Sequence, residues 1–356
     1  MDTLDRPVWL RFYIEPPYME PRGPACFSPK DWPPSNGCPP GSRVLDAAVL
    51  PGLCNSHLHL LDAAFPEHGE TLSLHELVAQ PGGLKYRLLL SARERRLLHA
   101  ARAALRAMKR HGAAVAAVYA ELGERGASLV AAAAADEGVT VRVLPQPSSP
   151  GEAVTLALSW RGLGLDTPLQ LEHLPGILGG DVLVHVHVSE DPALHGAGDV
   201  YMLRGERLAA IHLTHLTEGE VVELARRGVA PVFCPRSNLF FQGATPPLRA
   251  LVQLYEEQLP AGLGTDNAAW IPPGIDVEMA YAYMAARVGV EPGLRGLLAR
   301  AILYAATTGC EEVVGLENRY ILLLRLPELG FTADPVTTIV KRSWEGELTL
   351  LPRPGR

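Results

Sequence analysis

From Val44 onward, short apolar runs alternate with longer Ala-, Leu- and Arg-rich segments whose apolar positions recur at helical spacing. The short runs predict strands at Ala47–Leu53, Ala113–Tyr119, Val139–Leu144, Val154–Trp160, Val182–Val188, Ala209–Leu213, Val229–Cys234 and Ala261–Gly264. Helical patterns fall between them, at about 86–110, 124–137, 169–178, 217–228, 246–258 and 275–288. One helix start is well marked, since Thr217-Glu218-Gly219-Glu220 has the form of a capping box ahead of an apolar run. Eight apolar runs with intervening helices fit a parallel sheet covered on both faces, hence an α/β chain closed as a (β/α)8 TIM-like barrel over residues 46–316.

The two ends of the chain have a different texture. Residues 1–45 are dense in proline, as in PPYMEPRGP and DWPPSNGCPPG, which rules out long helices and central strands. From about Glu317, ENRYILLLRLPEL and VTTIVKRSWEGELTLL read as short strands joined by turns. The expectation is a small accessory β-domain built from residues 1–45 and 317–356.

Candidate chemistry begins with PGLCNSHLHLLD. In extended chain, side chains at i and i+2 point the same way, so His57 and His59 present two imidazoles to one place. A divalent metal of borderline softness favours such a pair. Alone, the pair is equally accounted for by two packed histidines at a strand end. Later runs add weight. DVLVHVHVSED ends a strand at His187 with Glu190 three residues on, LAAIHLTHLTEGE ends one at His212, and AGLGTDNAAW ends one at Asp266. In a parallel barrel these ends share one mouth, where catalytic groups collect. His185, one step earlier on the face of His187, reads as structural. Cys54 reads as a small buried residue.

The ordered set PG-x-x-x-x-His-x-His, His-x-x-Glu, His-x-x-His-Leu, Cys-Pro-x-Ser-Asn and Gly-Thr-Asp, running from Pro51 to Asp266, resembles the amidohydrolase superfamily. It is most similar to the branch of cytosine and guanine deaminases, adenosine-type deaminases and triazine chlorohydrolases. The resemblance implies that His57, His59, His187 and Asp266 hold one divalent metal ion, zinc with iron as the alternative. It implies that Glu190 shuttles protons, that His212 helps polarise the reacting centre, and that Asp266 accepts a proton from the attacking water. The third to fifth candidate strands contain no lysine, which favours one metal over two. The separate His-x-Glu and Pro-Cys-x-x-Cys deaminase signature is missing. Arg236 and Asn238 in the loop after the seventh strand, and Lys85 ahead of the first long helix, are candidates to touch substrate. Each has a plainer reading as a loop or surface residue. Asn267, Ala268, Ala269 and Trp270 follow the aspartate where relatives commonly carry serine.

The resemblance points to hydrolytic deamination of an aminated heterocycle, nucleobase- or nucleoside-like. A cyclic amidase or chlorohydrolase using the same residues is the alternative, and a non-catalytic metal-containing ligand-binding barrel is a third reading. A net charge of −7 offers no pull toward nucleic acid or an anionic membrane, so the expected partner is a small molecule. Relatives of this kind commonly assemble, so a homo-oligomer is compatible. The 356 residues, 47% hydrophobic and 20% charged, suffice for a large soluble core. Five scattered cysteines argue against a secreted disulfide framework, and MDTLDRPVWLRFYIEPP lacks a signal-peptide pattern, so the expected location is cytoplasmic.

Overall fold

A computed structural model describes residues 6–79, 82–174, 181–191, 200, 202–205 and 207–354. Its centre is a ring of eight parallel strands: Leu53–His59, Ala113–Ala120, Thr140–Pro145, Gly162–Leu165, Leu183–Val188, Leu208–His212, Val229–Phe233, and Gly262–Leu263 continued by Asp266–Asn267. The second strand, AAVAAVYA, is buried at every position, as a strand with helices outside and packed side chains inside must be. Pairing runs from the first strand to the third and from the fourth to the eighth. The third and fourth lie side by side, with Gly162 against the Val143 carbonyl. Asp266 pairs back to Leu58 and closes the ring. The expected barrel is therefore present.

Helices cover the outside. Glu94–Arg110 buries Leu97, Ala101, Ala104, Leu105 and Met108, a single stripe at spacings of three and four. The helix at Glu218–Arg226 begins at the expected Thr217–Glu220 capping box.

Several boundaries differ from the expectation, each for an identifiable reason. Val154–Trp160 is the end of a helix, Pro150–Trp160, and not a strand. Ser149 caps it by accepting from the Glu152 amide, Pro150 opens it, and Ala153, Leu156 and Ala157 face inward at i, i+3 and i+4. The fourth strand is the four-residue Gly162–Leu165 instead. The run Ala47–Leu53 divides: Val44–Pro51 joins a separate sheet, and the first barrel strand starts at Leu53. The pattern at 86–110 is two helices, Leu84–Ser91 and Glu94–Arg110. The pattern at 169–178 is a short 3-10 helix at Pro168–His173, and its remainder lies largely outside the described residues. In the tail, VTTIVKR is helical, Pro335–Arg342, because Asp334 caps it by accepting from the Val336 and Thr337 amides.

The separate sheet holds seven strands. Its path runs Glu347–Pro352, Tyr320–Arg325, Val44–Pro51, Val8–Glu15, Ala25–Ser28 and Asp31–Ser35, with Glu20–Arg22 paired to Val8–Glu15. Asp31–Ser35 contains Pro33 and Pro34 and occupies an edge, where missing amide donors are tolerated.

Two disulfides correct the expectation for the cysteines: Cys26–Cys38 within this sheet, and Cys54–Cys310 between the first barrel strand and the helix Thr308–Val314. Cys54 is buried, as expected, and is also cross-linked. Cys234 is a buried free thiol. Among the described residues, no helix is long and apolar enough to cross a membrane.

Candidate metal centre

The ends of the first, fifth, sixth and eighth strands bring His57, His59, His187, His212 and Asp266 together, all buried, with Glu190 beside them. The Nε2 atoms of His57 and His187 are 3.3 Å apart. The Nε2 atoms of His57 and His59 are each 3.4 Å from the same oxygen, Asp266 Oδ1. Two ligands each about 2.05 Å from a tetrahedral ion stand about 3.35 Å apart, so these edges have the size of a metal coordination shell. Glu190 Oε1 lies 3.7 Å from His212 Nε2.

Local backbone geometry sets these positions. Asp266 and His212 have φ of +62° and +78°, a left-handed conformation uncommon for non-glycine residues, although Asp and His visit it more often than most. Thr265 ties the Asp266 turn to the first strand, donating its amide to the His57 carbonyl at 3.0 Å. Its hydroxyl accepts from Asn55 Nδ2 at 2.8 Å. Gly264 is required beside it, since a Cβ there would stand 2.7 Å from His57 Cβ. Tyr119 forms a floor. Its ring stacks on His187 at 4.8 Å and 14°, and meets the His57 and His59 rings edge-on and tilted. Its hydroxyl donates to the Leu165 carbonyl at 2.5 Å. Gly164 leaves room for that ring, because a Cβ would lie 2.7 Å from two of its carbons.

Electrostatics match a cationic centre. Burial pushes the His57 imidazole down to about 3, and burial together with neighbouring imidazoles holds His187 well below its ordinary value, so both offer neutral lone pairs. Burial works against the Asp266 carboxylate, yet the His57 contact and surrounding imidazoles keep it well below the usual range. Ser237 donates to its other oxygen at 2.5 Å. Burial raises the Glu190 carboxyl, with His212 opposing, which suits a group that gives and takes protons.

Behind His59 lies a set of charges of which the sequence pattern marked only Lys85. Glu121, directly after the second strand, accepts a hydrogen bond from His59 Nδ1–H at 2.5 Å, which holds the proton on Nδ1 and leaves Nε2 free as a ligand. Lys85 Nζ is 2.6 Å from Glu121 and 3.0 Å from Asp62. Asn267 donates to Asp62 at 2.6 Å. Burial opposes the Glu121 carboxylate, but Lys85 and His59 bring it down to about 2; burial lifts Asp62 to about 6 against Lys85.

A cavity of about 350 Å³ opens over this centre. Lys85 lines it, as the sequence reading allowed, while Arg236 and Asn238 do not. Arg236 and Asn238 lie in the short helix Pro235–Gln242 and not in a loop; Arg236 pairs with buried Glu278 and donates to the carbonyls of Pro272 and Gly274, tying that helix to Ile275–Arg287. Asn238 sits behind His212, 3.2 Å from its Nδ1, and steadies that ring. His185 is buried away from the cavity. Gln146 and Asp166, directly after the third and fourth strands, complete the mouth. The detectable signal for Glu121, Gln146 and Asp166 is their shared position, one residue past an apolar strand.

No family model matches the chain. A protein of Methanothermobacter thermautotrophicus described as a "putative aminohydrolase" is 28% identical over 281 residues, 70% of this chain and 71% of that protein. A 5-methylthioadenosine/S-adenosylhomocysteine deaminase of Desulforudis audaxviator is 31% identical over 170 residues, 44% of this chain and 37% of that protein. Among solved structures, an adenosine deaminase of Xanthomonas campestris with bound zinc superposes with a TM-score of 0.72 at 19% identity, covering 98% of this chain and 92% of the other. The resemblance to the amidohydrolase superfamily read from the motifs is borne out: the chain has the superfamily's barrel fold and carries those motifs at the mouth of that barrel.

Proposed function

We propose that this protein is a metal-dependent hydrolase that deaminates an aminated heterocycle. The observation that carries the reading is the shell formed by His57, His59, His187 and Asp266, with nearest edges of 3.3–3.4 Å, beside Glu190, 3.7 Å from His212. Those four residues would hold one divalent ion, and three nitrogens with one carboxylate oxygen suit zinc. Bound there, the ion supplies Lewis acidity and makes water a competent nucleophile near neutral pH.

The chain's own groups account for the remaining steps. Asp266 is positioned to accept a proton from the attacking water, with Ser237 fixing its second oxygen. Glu190, raised by burial, protonates the ring nitrogen next to the amino-bearing carbon; the proton held by Asp266 then passes to the departing ammonia, and Glu190 recovers its own from the added hydroxyl as that oxygen becomes a carbonyl. His212, held by Asn238, hydrogen-bonds the oxygen being added. The relatives named aminohydrolase and deaminase support this reaction class over a pure binder.

The test is ammonia release from nucleobases, nucleosides and related heterocycles by zinc-loaded protein, with Glu190→Gln alongside. The variant is expected to keep its zinc and lose about 10²- to 10⁴-fold in kcat. Full activity in the variant refutes the proton-shuttle role. Silence of the wild type across the panel, with turnover of cyclic amides or halogenated rings, refutes the deaminase reading and leaves a hydrolase.

A further inference from the structure

The metal-facing groups occupy the ends of strands one, five, six and eight, and the ends of strands two, three and four carry Glu121, Gln146 and Asp166. Glu121 is committed to His59 and Lys85. Asp166 is different. It stands on the fourth strand, opposite the eighth in an eight-membered ring, so it faces the cavity from the side across from Asp266.

Its placement is built. Gln146 Nε2 donates to Asp166 Oδ1 at 2.5 Å, and Tyr86 donates to the Gln146 carbonyl at 2.9 Å. The Asp166 and Thr167 amides both donate to Gln170 Oε1, at 2.7 and 3.2 Å, in the capping box that opens the following 3-10 helix. Among the described residues nothing hydrogen-bonds Asp166 Oδ2. Burial pushes this carboxyl above its ordinary value, as expected of an acceptor short of donors.

The rest of the cavity narrows the ligand. Leu74, Val78 and Phe241 give an apolar wall suited to the face of a flat ring. Among the described lining residues Lys85 is the sole lysine or arginine, and it is already matched by two carboxylates, Asp62 and Glu121. Among the described lining residues a phosphate would find no lysine or arginine left to pair with, only the His75 imidazole, and would face Asp166, Glu190 and Asp266.

We propose that Asp166, steadied by Gln146, accepts hydrogen bonds from the hydroxyls of a sugar on the substrate, so that the site takes an uncharged nucleoside in preference to its 5′-monophosphate. A carboxylate accepting from ribose hydroxyls is a recurrent solution to nucleoside recognition. The inference rests on the deaminase reading for the position of the base, with the amino-bearing carbon toward Glu190 and the sugar toward the fourth strand.

The test uses zinc-loaded protein with adenosine, guanosine and cytidine, their 2′,3′-dideoxy counterparts and their 5′-monophosphates. Wild type is expected to prefer the best ribonucleoside over its dideoxy form by about 10- to 100-fold in kcat/KM, chiefly through KM, the size of a hydrogen bond to a charged acceptor. Asp166→Ala should collapse that preference, with Asp166→Asn between the two. A purely structural role would lower both substrates together and leave the ratio intact, which overturns the proposal. So does comparable turnover of the 5′-monophosphate. The wild-type preference tests the proposal even if the variants fold poorly. Calorimetric binding of the same compounds separates the two claims. Tighter binding of the ribonucleoside without ammonia release refutes deamination and retains the Asp166 role. Equal binding of the two forms, or none by either, overturns the Asp166 role.

Discussion

Gly164→Ala isolates the link between barrel packing and the metal centre. Gly164 does not occupy the left-handed region, so the substitution costs little in backbone terms, and its effect is steric. The new methyl would lie 2.7 Å from Tyr119 Cε1 and Cζ. Carbon atoms pack at about 3.5–4.0 Å, so the Tyr119 ring must retreat by about 1 Å. That ring is fully buried, its hydroxyl is 2.5 Å from the Leu165 carbonyl, and its face stacks on His187 at 4.8 Å. Overpacking of this kind costs about 1–3 kcal/mol, and a weakened hydroxyl bond adds about 1 kcal/mol. The expected destabilisation is therefore about 2–4 kcal/mol in urea unfolding of metal-free protein. Metal sites tolerate shifts of about 0.2 Å, so movement of His187 should lower zinc affinity by at least about tenfold in a chelator competition titration. Tyr119→Phe, which keeps the ring, should cost about 1 kcal/mol and leave zinc affinity within about threefold. If Gly164→Ala unfolds and binds zinc like wild type, the steric argument is wrong. If stability falls and zinc affinity holds, Tyr119 does not position the ligands.

Two further outcomes follow from features away from the cavity. The Cys54–Cys310 disulfide closes a loop with a sequence separation of 256, so replacing both residues by serine should destabilise the barrel by up to about 5 kcal/mol, read as a lower urea midpoint than in oxidised wild type. Equal midpoints would show that the cross-link adds nothing. His111 Nδ1 is 2.9 Å from both oxygens of buried Asp276, and this hydrogen bond raises the imidazole above 6.5 despite partial burial. A raised histidine stabilises most below its unfolded value and loses that contribution as pH climbs through the folded value. The stability gap between wild type and His111→Gln should therefore be widest near pH 5–6 and shrink toward pH 9; a gap that grows with pH contradicts the assignment.

The residues proposed to hold the metal were legible because that chemistry demands an uncommon residue type at a fixed place. His57 and His59 at i and i+2, then His187, His212 and Asp266 each ending an apolar run, form a pattern that survives errors in strand boundaries. The second, third and fourth strand ends did not survive them equally. Glu121 and Gln146 are single polar residues after apolar runs, which describes most loop entries. Asp166 was hidden by a wrong boundary, since Val154–Trp160 alternates like a strand while Ser149, Pro150 and Glu152 start a helix through it. The disulfides were illegible for another reason. Cys54 and Cys310 meet only because the helix Thr308–Val314 packs against the first strand, a contact that no spacing encodes.

The division of the barrel mouth has a consequence for which residues can change independently. Glu121 orients His59, neutralises Lys85, and so joins the metal shell to the strand-two side of the cavity. Altering it disturbs ligand orientation and leaves Lys85 with Asp62 alone, a buried charge with half its compensation. Gln146 and Asp166 hydrogen-bond each other, and Gln146 also bonds Tyr86, with no described hydrogen bond from either side chain to a metal-facing residue. Specificity can therefore be retuned at the third and fourth strand ends while His57, His59, His187 and Asp266 keep their geometry. The second strand end cannot change without moving the metal site as well. On the proposed reading, that asymmetry separates the groups assigned to the reaction from the groups assigned to selecting its substrate.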